Sequence, residues 1–233
     1  MSDVIRNERK LKEIFAGSFQ IGAAVNPRTI QSQEELLAYH FNSITAENEM
    51  KFVSLQPEEG IFTFEEADPS ALLFYNDYNE SNPLKREKIY RLLQLLLDQG
   101  APIHGVGLQA HWNLYGPSLD DIRAAIEKYA SLGLQLQLTE LDVSMFAFDD
   151  KRTDLKEAPP ELIELQAQRY EQLFKLLKEY RDVISSVTFW GAADDYTWLD
   201  NFPVCGRKNW PFLFDEHHQP KPAFHRVAEL AGS

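Results

Sequence analysis

From about Leu72 onward the chain alternates short β-rich runs with amphipathic helical ones, and each switch carries its own punctuation. The run ALLFYNDYNE gives way to Asn82-Pro83, an N-cap with proline at the first helical position. KREKIYRLLQLLLDQG then places Ile89, Leu92, Leu93, Leu96 and Leu97 on one stripe, closed by Gly100. IHGVGLQAHW reads as a strand ending in polar and aromatic residues. SLDDIRAAIEKYASLG reads as a helix with Ser118 as N-cap, Ile122, Ile126 and Tyr129 inward, and Gly133 as its stop. LQLQLTELDV is the next strand, and a helix from Pro159-Pro160 to about Tyr180 follows. VISSVTFWG is a further strand, and a last helix lies near Pro222. Strands and helices joined by single crossovers require a parallel sheet covered by helices.

The front of the chain fits the same plan. FQIGAAV reads as a strand, Ser32 to Phe41 as a short helix with Ser32 and Glu35 as a capping box, and FNSITAENEMK as another strand. Several strands end in chemically rich clusters, namely YNDYN, QAHW, TELD and FWG, and the C-terminal rim is where (βα)8 barrels carry their sites. A doubly wound sheet is the competing architecture, but no glycine-rich phosphate loop follows any strand. The fold class is therefore α/β of the TIM (βα)8-barrel type. There are no repeats or linker-like stretches, so residues 1–233 are expected to form one domain.

Charge narrows the ligands. A formal net charge of −13 repels nucleic-acid phosphates and anionic lipid, and no Lys/Arg cluster reverses it locally. No run approaches the ~18 apolar residues of a membrane span. The segment MSDVIRNERKLKEIF has no apolar core of a secretory signal, and Cys205 is the single cysteine, so a cytoplasmic location is expected. Among the six histidines only His217 and His218 are close together, and no metal-ligand spacing occurs, so no metal is expected.

Glu140 ends an alternating apolar strand, in TELD. A carboxylate at the mouth of a barrel suits an attacking nucleophile, since retaining glycoside hydrolysis uses two carboxyl groups about 5–5.5 Å apart. A solvated strand-end acid is the plain alternative. Trp112, Trp190 and Trp198 lie at or just beyond strand ends, where indole faces can stack on sugar rings, although core packing explains any single tryptophan as well. Gln109 and His111 alternate along a strand and so share a face, from which the imidazole can reach Glu140.

Taken together, IGAAVNPRTI, NSITAENEMKF, LQPEEGIFTFEEAD, LLFYNDYN, IHGVGLQAHW, LQLTELDVS, SVTFWGAADDYTWL and the PFLFD run resemble the family 10 glycoside hydrolases, the β-1,4-xylanases. The resemblance implies Glu140 as nucleophile, with His111 orienting it. It implies Glu47, Asn48 and Lys51 as the cluster binding hydroxyls of the non-reducing-side sugars, and Gln109 beside the catalytic carboxylates. Trp190 and Trp198 would wall the sugar at the cleavage point, with Asn76 and Tyr78 toward the leaving group. It further implies no cofactor, and xylan or xylo-oligosaccharide as the partner.

One departure cuts across this match. In the family, the helix beginning at FEEAD leads to a strand ending in a GHxLVWH-like motif, and a later WDVVNE-like motif carries the acid/base glutamate. Neither occurs here: the chain runs from FTFEEAD straight into PSALLFYNDYN, with a junction at Asp68/Pro69. Two βα units with their loops correspond to roughly a hundred residues. The expected product is an incomplete barrel of six strands, open between two parallel edges that invite self-association. Glu47 and Asp142 are the carboxylates that could stand in for the missing acid. Three outcomes stay open: impaired hydrolysis, oligosaccharide binding without turnover, and an inactive deletion product.

Overall fold

A computed structural model describes residues 8–47 and 72–230. A short helix α1 (Leu11–Ile14) precedes β1 (Gln20–Val25), α2 (Pro27–Ser32), α3 (Glu34–His40) and β2 (Ser43–Ala46). After the undescribed stretch come β3 (Phe74–Asp77), α4 (Pro83–Asp98), β4 (Gly105–Leu108), β5 (His111–Asn113) and α5 (Leu119–Ala130). The chain continues with β6 (Gln135–Ser144), α6 (Pro160–Glu179), β7 (Ile184–Phe189), a 3-10 turn (Trp198–Asp200) and α7 (Pro222–Glu229).

Every pairing in the sheet is parallel, in the order β2-β1-β7-β6-β4-β3, with β5 pairing β6 beyond the end of β4. The first strand thus lies against the last, which is the closure of a barrel. The missing neighbours fall between β2 and β3. Among the described residues six principal strands form the expected incomplete barrel. The Asp68/Pro69 junction lies outside the described residues.

Local chemistry explains most boundaries. Asn82 accepts hydrogen bonds from Leu84 N and Lys85 N with Pro83 next, and Ser118 accepts from Asp121 N, so α4 and α5 start where their caps lie. The front helix differs from expectation: Asn26, not Ser32, is the cap. Asn26 and Thr29 form a reciprocal capping box ahead of Pro27, and Ser32 closes that earlier helix. A polar residue followed by proline at the first position begins a helix before the later serine can.

The core lies between the inner sheet and its helices, with Phe15, Phe19, Phe174 and Phe189 in ring contact across α1, α6 and β7. On α4 only Ile89 and Leu93 of the expected stripe are fully buried, each contributing about 1.5–3 kcal/mol. Leu92 is 38% exposed, a departure from that stripe. Behind the rim, Lys221 Nζ donates to Asp194 Oδ2 at 2.8 Å and to the carbonyls of Trp210 (2.9 Å) and Phe212 (2.8 Å). Asp194 Oδ1 accepts from Phe212 N at 2.8 Å, and burial pushes this carboxyl up to about 6 against the pull of Lys221. The cluster fixes the loop that follows β7.

Candidate active site

Parallel strands deliver their C-terminal ends to one rim, so residues far apart in sequence converge. Glu47 follows β2, Asn76 lies in β3, Gln109 follows β4, His111 opens β5, Glu140 lies in β6 and Trp190 follows β7. A cleft of about 730 Å³ is lined by Glu47, Tyr78, Gln109, His111, Glu140, Trp190 and Trp198, with Asn79, Phe148 and Phe202 at its margins. Asn76 joins the group through Glu140. Asn48 and Lys51 lie outside the described residues. Among the described residues no group of three or more His, Cys, Asp or Glu is placed to hold a metal ion, and no helix is long and apolar enough to cross a membrane.

Glu140 is held at both oxygens. Its Oε1 accepts from Asn76 Nδ2 at 3.0 Å, and its Oε2 lies 3.3 Å from His111 Nε2. Thr139 Oγ1 donates to Asn76 Oδ1 at 2.8 Å, which fixes the amide so that its NH2 faces the carboxylate. Asn76 sits in β3 and Glu140 in β6, with β4 between them. The strand between contributes Gly107, and a Cβ there would lie 2.5 Å from Asn76 Oδ1 and 2.9 Å from Thr139 Cγ2. Glycine opens the passage through which Asn76 crosses β4.

His111 is held from its other side by Asp142, whose Oδ2 lies 2.9 Å from Nδ1 and accepts from Trp198 Nε1 at 2.8 Å. Burial, the largest single influence, lowers the imidazole's proton affinity. The Asp142 and Glu140 carboxylates together outweigh it and raise the pKa to about 10. Below that pH both ring nitrogens carry protons, and the imidazolium donates to one carboxylate on each side. Asp142 is one of the two carboxylates that could stand in for the missing acid. It is 1% exposed, because Oδ2 is committed inward to both His111 and Trp198. Its other oxygen has no hydrogen-bond partner among the described residues.

The walls are aromatic. Trp198 lies 4.8 Å from the His111 ring and Trp190 stands edge-on to it at 6.4 Å, centroid to centroid. Phe202 stacks on Trp198 at 5.3 Å, and Phe148 meets Phe202 at 5.8 Å, extending the apolar wall outward. Tyr78 is exposed at the opposite margin, with Lys85 Nζ 3.7 Å above its ring. Trp112 departs from the rim expectation. It is buried in the core and its indole N–H donates to Glu80 Oε1 at 3.1 Å. On the far wall Glu47 Oε2 accepts from Asn26 Nδ2 at 2.8 Å, the same asparagine that caps α2. Thr139, Asn26, Phe148 and Phe202 are site residues that sequence reasoning did not assign, and only the i, i+4 spacing of Trp198 and Phe202 hints at one of them.

The model of glycosyl hydrolase family 10 matches the chain in two stretches, residues 10–70 and 65–230, which meet around the Asp68/Pro69 junction. An endo-1,4-beta-xylanase of Geobacillus stearothermophilus is 46% identical over 323 aligned positions, covering 94% of this chain and 98% of the relative. Since 94% of 233 residues is about 219, roughly 100 of those 323 positions face no residue here. Endo-1,4-beta-xylanase A of Caldicellulosiruptor saccharolyticus is 56% identical over 158 residues, covering 67% of this chain and 46% of the relative. Among solved structures, the Thermobacillus composti GH10 xylanase matches with a TM-score of 0.92 at 47% identity, covering 95% of this chain and all of that one.

Proposed function

This chain belongs to glycosyl hydrolase family 10, and on that premise we propose that it acts on β-1,4-linked xylose chains with Glu140 as the attacking carboxylate. The observation that carries the reading is the two-point suspension of Glu140 between Asn76 and the His111 imidazolium, at the mouth of an indole-walled cleft. In the first half of a retaining reaction a Glu140 oxygen bonds to the anomeric carbon while the bond from that carbon to the leaving oxygen breaks. Asn76 and His111 fix the carboxylate's orientation and spare it reorganisation. Trp190 and Trp198 would stack on the sugar, while Tyr78 and Gln109 would contact hydroxyls. Glu47, with Asn48 and Lys51, would hold the non-reducing side.

The leaving sugar oxygen needs a proton, and general-acid help is worth roughly 10²–10⁴-fold. Among the described residues, Glu47 and Glu140 are the only carboxylates lining this cleft. Asp142 is spent on His111 and Trp198, and Glu47 is tied to Asn26 on the wall opposite β3. The break in the family match around residues 65–70 supports loss of the acid-bearing units, so hydrolysis by this chain is impaired. An indole-walled cleft in which Glu140 is held between Asn76 and His111 supports a second reading, oligosaccharide binding without turnover.

Reducing-end release from soluble xylan, measured beside Glu140→Gln prepared identically, tests the assignment. Weak release that vanishes in Glu140→Gln supports hydrolysis. No release from either, with xylo-oligosaccharide binding retained, supports the second reading. Release that persists in Glu140→Gln would remove Glu140 from the chemistry.

A further inference from the structure

The two ends of the sheet share a chemistry that the cleft does not use. Among the described residues β2 is paired only to β1 and β3 only to β4, so each has one backbone edge that no described strand matches. Large apolar side chains surround this opening. Ile44 on β2 is 65% exposed, and Leu72 and Leu73, leading into β3, are 59% and 51% exposed. On α4, the helix following β3, Leu84, Leu92 and Leu95 are exposed. At 3.6 residues per turn they fall within roughly 80° of arc, a second apolar face beside the one that packs on the sheet. A surface helix with leucines on two faces is built to be covered twice.

The size of the opening is also defined. The backbone follows the Thermobacillus composti GH10 xylanase with a TM-score of 0.92, so the described strands keep a family arrangement. Roughly 100 positions of the Geobacillus stearothermophilus relative face no residue here, and the family match breaks around residues 65–70, between these two strands. That length suits two βα units of about 30 or more residues each with their loops. A second copy would bring six strands to a space for two, and strand number, shear and tilt cannot adjust independently.

We propose that the opening between β2 and β3 is a docking site for a separate polypeptide carrying two parallel βα units, which pairs with both strand edges and covers the outer leucine face of α4. Docking stands on the edges and the leucines, and its effect on turnover rests on the functional reading above. The probe is the roughly 100-residue segment of the Geobacillus stearothermophilus enzyme that faces no residue of this chain. It is co-expressed with the tagged full chain, and the purified product is examined by sedimentation velocity.

A one-to-one complex is expected. Leu92→Glu/Leu95→Glu, at two exposed positions, is expected to weaken it at least about tenfold and to leave the melt of the chain alone unchanged. Absence of a complex overturns the proposal, as does equal affinity in the variant. A chain that closes as a stable homodimer and excludes the segment overturns it in favour of the second copy. Xylan hydrolysis is read separately. A complex without reducing-end release supports docking and counts against the reading of the missing units as the source of the acid, so the two failures remain distinct.

Discussion

Replacing Asp142 with Asn should bring down the proton affinity of His111 by close to two orders of magnitude. The imidazole's pKa rises from 6.5 to about 10 although burial opposes the rise, so the two carboxylates favour the imidazolium by about 5 kcal/mol net. Asp142 is the nearer, at 2.9 Å against 3.3 Å for Glu140, and the more deeply buried. It therefore supplies the larger share, on the order of 3 kcal/mol, or roughly a hundredfold in proton affinity. The asparagine keeps an oxygen for Trp198 Nε1 or His111 Nδ1, so the fold should survive. Imidazole ¹⁵N resonances followed between pH 5 and 10.5 in both proteins read the change directly. The linkage has a definite sign. A raised folded value means that His111 contributes stability that is full below pH 6.5 and lost as the pH rises through about 10. In Asp142→Asn that loss moves to lower pH and is smaller. A wild-type imidazole titrating near 6.5, or a change below about threefold in the variant, would refute the paired-carboxylate account.

Two further outcomes follow from described contacts. Trp190→Ala should weaken xylo-oligosaccharide binding about thirtyfold, or about 2 kcal/mol by calorimetry, with the melting temperature little changed. Lys221→Met should cost about 3–5 kcal/mol in denaturant unfolding, because it strands the buried Asp194 carboxylate together with the carbonyls of Trp210 and Phe212. Adding Asp194→Leu should recover part of that loss, and a single variant costing less than about 1 kcal/mol would contradict the role given to the pair.

What could be read from sequence was whatever local chemistry decides. Asn82-Pro83, Ser118 and Pro159-Pro160 announce three helices because caps and proline act over a few residues. The alternation in LQLQL marks β6, and its terminal glutamate lies in the cleft. The continuous strand expected through IHGVGLQAHW is instead two, because Ala110 takes a left-handed conformation with φ 61° and redirects His111 toward Glu140 and Asp142. Nothing in an alanine foretells that turn. Asp142 was offered as a stand-in acid, and its commitment to His111 and Trp198 rests on contacts between distant segments that a strand pattern does not encode. Leu92 was assigned to the core because periodicity reports an apolar face, and it cannot report whether a neighbour exists to cover it.

The contact between β1 and β7 has a kinetic meaning. The other principal pairings join strands adjacent in chain order, whereas β1 must find a partner more than 160 residues away, matching Ile21 to Val187. Loop-closure entropy is thus concentrated in one seam. The β3–β7 portion can assemble from neighbouring segments alone, and the β1–β2 unit is expected to attach last and detach first. Glu47 and Asn26 ride on that unit while Glu140 and His111 belong to the other. The seam therefore divides the cleft between an early-forming wall that holds the nucleophile and a late-arriving wall that faces it, and amide exchange should reach β1 before β6.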